Sequence, residues 1–171
     1  IAAERTGQYD GVVIAAFGDP GLIGIKELLS VPVVGMTEAA LASACLLGQR
    51  FSIIAISSRI KAWYQECVER SHLATRLASI RSLQQPLRDI GAVQEDHTER
   101  LKQLPREAVE QDRADVIIRA GAPLAGLARS VKDDSPVPVG GALSSPAKHS
   151  ECPSALPPGP AGSRTCPCPP A

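Results

Sequence analysis

Aromatic side chains are scarce in this chain, 3% of 171 residues, and platforms that stack nucleobases need such rings. An excess of one charge sign is missing as well, since 18 basic residues face 18 acidic ones. A nucleic-acid footprint needs a basic patch, so no nucleic-acid partner is expected. Long apolar runs are absent: Val31–Val34 and Ile53–Ile56 fall far short of the roughly 20 residues that span a bilayer. No signal peptide is expected, and a cytoplasmic location without a membrane partner is expected with it. The five cysteines are an odd number and form no Cys-x-x-Cys pair. Cys166-Pro167-Cys168 is too tight for a zinc knuckle without further ligands, so neither a disulfide framework nor a metal site is expected.

What is present is an alternation of two patterns. Val12–Ala16 is apolar without a break, as a strand buried on both faces should be, and it ends in the turn signal Phe17-Gly18-Asp19-Pro20-Gly21. A short helix over Leu22–Leu29 and a strand over Val31–Met36 follow. Thr37 is a good N-cap for a helix over Glu38–Leu47, with Gly48 closing it. Phe51–Ile56 is the next strand, stopping at Ser57-Ser58, which suit the cap of a helix from about Ile60 to Ser71. Ala78–Leu83 is a weaker strand. Gln94–Gln111 reads as a helix with Leu101, Leu104, Ala108 and Val109 on one face and a kink at Pro105. Asp115–Ile118 is a further buried strand, leading through Arg119–Pro123 into a helix from Leu124 to about Val131. Pro136–Val139 would be the last strand. Strands that alternate with helices of about ten residues predict an α/β fold with mostly parallel sheets flanked by helices.

The two ends differ in character. Ile1–Arg5 reads as the last turn of a helix already under way, so an N-terminal portion is expected to be missing. Residues 140–171 hold eight of the 15 prolines and three of the five cysteines. Without apolar periodicity they are expected to form a disordered tail, or to reflect a reading-frame error.

Four stretches resemble the aspartate/glutamate/hydantoin racemase family. Tyr9–Leu22 is similar to its first active-site strand and loop, usually A-C-F-G-D-P-G. Val31–Ala40 is similar to its next strand and a Gly-x-x-Glu-Ala-Ala helix start. Arg50–Ser58 resembles the strand that opens the second lobe. Ala114–Leu127 resembles the second active-site strand, usually L-G-C-A-G-M. They occur in family order and cover most of residues 9–139, while the family's opening Pro-Asn strand and its closing strand and helix have no counterpart. The resemblance implies two pseudo-symmetric lobes, 1–49 (an incomplete first lobe) and 50–139, ahead of the tail 140–171. It also implies racemisation of a small amino acid, hydantoin or related carboxylate without a cofactor, and leaves a homo-oligomer open. One thiolate removes the Cα proton and an opposing thiol returns one, which requires acid and base in different protonation states.

The resemblance places the two cysteines at Ala16 and Gly121, and neither side chain carries a proton. Two-cysteine racemisation is therefore excluded for this chain, and with it a one-cysteine decarboxylation. A non-catalytic carboxylate binder and a non-functional gene fragment are the alternatives. The strand-end segments Phe17-Gly18-Asp19, Ser57-Ser58 and Gly121-Ala122-Pro123 are the candidate substrate contacts, because ligands of parallel sheets sit beyond the carboxyl ends of strands. Asp19 is either a substitute base or a turn former. Glu38 suits a helix N-terminus or a substrate contact. Ser57 and Ser58 suit either a cap or a substrate carboxylate. Cys45 and Cys67 read as core residues, and His72 and His97 as surface ones. Gly18–Gly24 lacks the spacing and the lysine of a phosphate loop.

Overall fold

The computed structural model describes residues 9–84, 93–121, 124 and 137–141. The helical turn expected at 1–5, the residues Ala122 and Pro123, the helix expected after Leu124 and the tail beyond Gly141 lie outside them.

Two parallel sheets are present. The first pairs β1 (Val12–Ile14) with β2 (Val33–Gly35) through α1 (Leu22–Leu28). After α2 (Met36–Leu47), a second sheet has the order β4-β3-β5-β6, all neighbours parallel. Its strands are β3 (Phe51–Ala55), β4 (Leu77–Ser82), β5 (Val116–Arg119) and β6 (Val139–Gly141). Between β3 and β4 lie a 3-10 turn (Ser58–Ile60), α3 (Lys61–Arg70) and a second such turn (Ala74–Arg76). Between β4 and β5 lie α4 (Val93–Asp96) and α5 (Thr98–Glu110).

The second sheet is covered on both faces, which is why its central strands read as unbroken apolar runs. Phe51, Ile53 and Ala55 of β3, with Val116, Ile118 and Ala120, pack into one cluster with Leu41 of α2 and Tyr64 and Val68 of α3. Ile54 and Ile117 point the other way, against Leu101, Leu104 and Ala108 of α5. This period-two division is what the pleat demands. Arg81 of β4 fastens α5 to the edge of the sheet. Its Nε is 2.6 Å from Asp112 Oδ2 and its Nη1 2.6 Å from Glu107 Oε2.

Three boundaries differ from the sequence reading. The α2 helix begins at Met36 with Gly35 as N-cap, so Thr37 lies inside the first turn and its hydroxyl is used elsewhere. The expected kink at Pro105 is not where the helical segment is interrupted: α4 and α5 part at His97, and Pro105 sits buried within α5. The last strand runs Val139–Gly141, two residues into the segment assigned to the tail.

Candidate functional site

The loop after β1 is built from tight turns. Asp19 N donates to Ala16 O (3.1 Å), and Leu22 N donates to Asp19 O (3.2 Å). Gly18, Asp19 and Gly21 have positive φ of 109°, 49° and 74°, a region that glycine enters freely and Asp tolerates better than most residues. Gly18 is confined on every side. Its N–H donates to Thr37 Oγ1 (2.5 Å), its carbonyl accepts from Cys67 Sγ (3.6 Å), and a Cβ added there would lie 2.2 Å from the Trp63 ring. Phe17 is buried beside it, its ring edge-on to Tyr64 with centroids 4.8 Å apart. The loop at the end of the small sheet is thereby pressed onto α3.

Asp19 has a definite task. Its Oδ1 accepts from Thr37 N (2.8 Å) and its Oδ2 from Glu38 N (2.9 Å). These amides are among the four at a helix start that lack intrahelical partners. Gly35, the N-cap, has no side chain with which to meet them, so Asp19 does so from 16 positions upstream in the chain. Gly35 must be glycine for this, because a Cβ there would lie 2.4 Å from Asp19 Cγ. Glu38 completes the start of α2 by accepting from Gly35 N (3.0 Å) and pairing with Lys26 Nζ (2.7 Å).

The remaining strand ends lie on the second sheet. Ser57 Oγ accepts from Arg59 N (3.2 Å), so the capping task expected of Ser57 is present, while Ser58 is exposed. Beyond β5, Gly121 is half-buried with φ 103°, and its carbonyl accepts from Leu124 N (3.1 Å). Phe17, Ala55 and Ala120 belong to one buried cluster, so the chain leaves β1, β3 and β5 around a shared apolar floor. Ala16 and Gly121, the half-buried positions next to that floor, carry no ionisable group.

Two clefts open beside the loop. One of about 430 Å³ runs between α1, α2 and α3, past Asp19, Lys26, Glu38, Cys67 and Arg70. A neighbour of about 210 Å³ is lined by residues 18–24 with Trp63 and Arg70. Ser57, Ser58 and Gly121 line neither. Burial pushes the Cys67 thiol up from its ordinary value, against the opposing pull of Arg70, and pushes Tyr64 up to about 12 with a smaller contribution from Cys67. Both groups are therefore neutral at pH 7. Among the described residues, no group of three His, Cys, Asp or Glu side chains could hold a metal ion, and no helix is long and apolar enough to cross a membrane.

Two side chains stand out that the sequence reading had not selected. Ser82, beside Ala55 in the sheet register, and Arg119 are both buried, and Ser82 Oγ and the Arg119 Nη1 and Nη2 atoms have no hydrogen-bond partner among the described residues. Their signal in the sequence was a polar residue at the end of an apolar strand, which also marks an ordinary strand terminus.

Comparison with known proteins gives a consistent result. A family profile described as Asp/Glu/Hydantoin racemase matches residues 1–142. The chain is 41% identical over 140 residues to a hydantoin racemase of Paenarthrobacter aurescens, covering 80% of this chain and 58% of that protein. It is 34% identical over 138 residues to a hydantoin racemase of Pseudomonas sp. (strain NS671), covering 79% and 55%. The chain thus spans little more than half the length of these relatives. Among solved structures, the allantoin racemase from Klebsiella pneumoniae superposes with a TM-score of 0.82 at 28% identity, covering 90% of this chain and 63% of that one. The allantoin racemase from Pseudomonas fluorescens gives 0.75 at 28% identity, covering 88% and 66%.

Proposed function

Since the chain belongs to the Asp/Glu/hydantoin racemase family, we propose that it acts on a small hydantoin-type ring or related amino-acid carboxylate, at the carbon that carries the exchangeable proton. The proposal takes residues 1–49 and 50–139 as the two lobes and sets the ligand beyond the ends of β1, β3 and β5. Phe17, Gly18, Asp19, Ser57, Ser58, Gly121, Ala122 and Pro123 are its contacts. The observation that carries it is the common buried cluster of Phe17, Ala55 and Ala120, which supports a convergence of the three strand ends. Loss of the proton next to a carbonyl builds negative charge on oxygen, and fixed main-chain amides stabilise such charge without reorganising. The chemistry needs no cofactor in this reading, and the protein is taken to meet its ligand in the cytoplasm.

A second reading is favoured by a specific observation. Ala16 and Gly121 offer no proton carrier, Asp19 spends both carboxylate oxygens on α2, and Cys67 is a buried thiol turned to Gly18 O. A chain of this kind would hold the ring without exchanging its proton. Incubating the full chain in D2O with single enantiomers of 5-substituted hydantoins, and following Cα deuterium and optical rotation against a protein-free control, separates the two. Exchange with inversion above the control supports turnover. Saturable binding without exchange supports the binder. Absence of both binding and exchange would sink the proposal.

A further inference from the structure

Arg119 ends β5, one residue before Ala120 and two before Gly121. Val116, Ile118 and Ala120 face α2 and α3 while Ile117 faces α5, so alternation sends the Arg119 side chain to the α5 face. Its neighbour across the sheet is Ile54, which on its other side is paired with Arg81. Arg81, Ile54 and Arg119 therefore form a row on one face, and the two arginines at its ends have different fates. Arg81 is gripped by Asp112, Glu107 and Gln111. Arg119 is more deeply buried, at 4% exposure, and its two terminal nitrogens have no partner among the described residues. The buried residues named on this face near it, Ile54, Ile117 and Leu124, are apolar.

A guanidinium stays protonated in a protein even when burial lowers its pKa, as it does here. Buried charge without a counter-charge is unfavourable, and an unpaired buried group calls for a missing partner such as an ion or ligand. The nitrogens form a planar fork that matches a carboxylate. The position is also apt, since the chain leaves β5 here through Gly121 at the carboxyl end of a parallel strand.

We propose that Arg119 is the seat of a carboxylate on the small ligand, bound through both terminal nitrogens, so that this chain prefers a carboxylate-bearing hydantoin or acyclic acid over a neutral ring. The ring part of this statement rests on the function proposed above. The carboxylate seat does not.

The test uses the full chain with wild-type Arg119, Arg119→Met and Arg119→Lys. Melting temperature and calorimetric affinity are measured with hydantoin-5-acetate, neutral 5-methylhydantoin and succinate at matched ionic strength. Wild type should bind hydantoin-5-acetate at least about tenfold more tightly than 5-methylhydantoin, as expected for a charge-assisted pair. Arg119→Met should lose that preference and melt higher than wild type without ligand, because its buried charge is gone. Arg119→Lys should keep part of the preference, which guards against misreading a folding defect. If succinate stabilises wild type and not Arg119→Met while neither hydantoin binds, the ring reading falls and the seat stands. If no carboxylate shifts wild type, or all shift Arg119→Met equally, the seat is overturned, whatever proton exchange shows.

Discussion

The two sheets solve the burial problem differently. In the four-stranded sheet every residue of β3 and β5 is buried, and helices cover both faces. In the two-stranded sheet Val13 is 39% exposed, and α1 buries none of its residues, with Ile23 at 64% and Leu28 at 76% exposure. Yet the loop that leaves the small sheet is among the tightest parts of the molecule, with Phe17, Gly18 and Asp19 all buried. Its order comes from elsewhere: amides at the start of α2 donate to Asp19, and α3 supplies Trp63, Tyr64 and Cys67. A loop can thus be held by the region it faces and not by the sheet it belongs to.

That contrast is most easily broken by comparing one truncation in each region. Ile53→Ala in β3 removes a fully buried side chain from a packed cluster and should cost about 2–5 kcal/mol. Leu28→Ala in α1 should change stability by less than about 0.5 kcal/mol. Urea unfolding of both variants gives the difference directly. Equal losses would mean that the small sheet has a core of its own.

The link between the regions is tested next. Asp19→Ala removes the acceptor for two amides of α2 and should cost about 1–2 kcal/mol, the range for a lost helix cap. Hydrogen exchange at Thr37 and Glu38 should quicken, while the amides of β3 keep their protection. Asp19→Asn retains one acceptor oxygen and should fall between. Unchanged exchange in Asp19→Ala would show that water replaces the carboxylate without loss.

This residue also shows what the sequence could and could not disclose. The strands were legible because a sheet covered on both faces forces unbroken apolar runs, as at Phe51–Ala55 and Val116–Ile118. The loop after β1 was legible as a turn because Gly18-Asp19-Pro20-Gly21 leaves few other conformations. Thr37 as the α2 cap was a reasonable expectation from local pattern, but the cap comes from Asp19 and Thr37 turns to Gly18. Nothing local announces a partner 18 residues away; only the need for glycine at 35 hints at a close approach. A kink was expected at Pro105, whereas the helical segment is interrupted at His97 and Pro105 lies buried within α5. Arg119 was passed over because its burial depends on its place between β3 and β6 in the sheet, which no window of the chain contains.

The smallest effect concerns the edge of the large sheet, where charge replaces apolar contact. The hydrogen bond from Arg100, and then its charge and that of Arg81, hold Glu107 below its ordinary value of 4.5; the hydrogen bond from Arg81 chiefly does the same for Asp112 below 3.8. A carboxylate whose folded pKa is depressed adds stability that is fully present above its ordinary value and is lost as pH falls through the folded one. Wild type should therefore lose stability progressively below about pH 4. Arg81→Met should cost about 1 kcal/mol at pH 7, the scale of a partly exposed charge network, and its stability should fall less steeply below that pH. Glu107 retains Arg100 in the variant, so the slope should shrink without vanishing. Parallel pH profiles for the two proteins would mean that the edge is held by the hydrogen-bonded hydroxyls of Ser52 and Ser79, 2.9 Å apart, and by the apolar face of α5, and that its ion pairs are incidental.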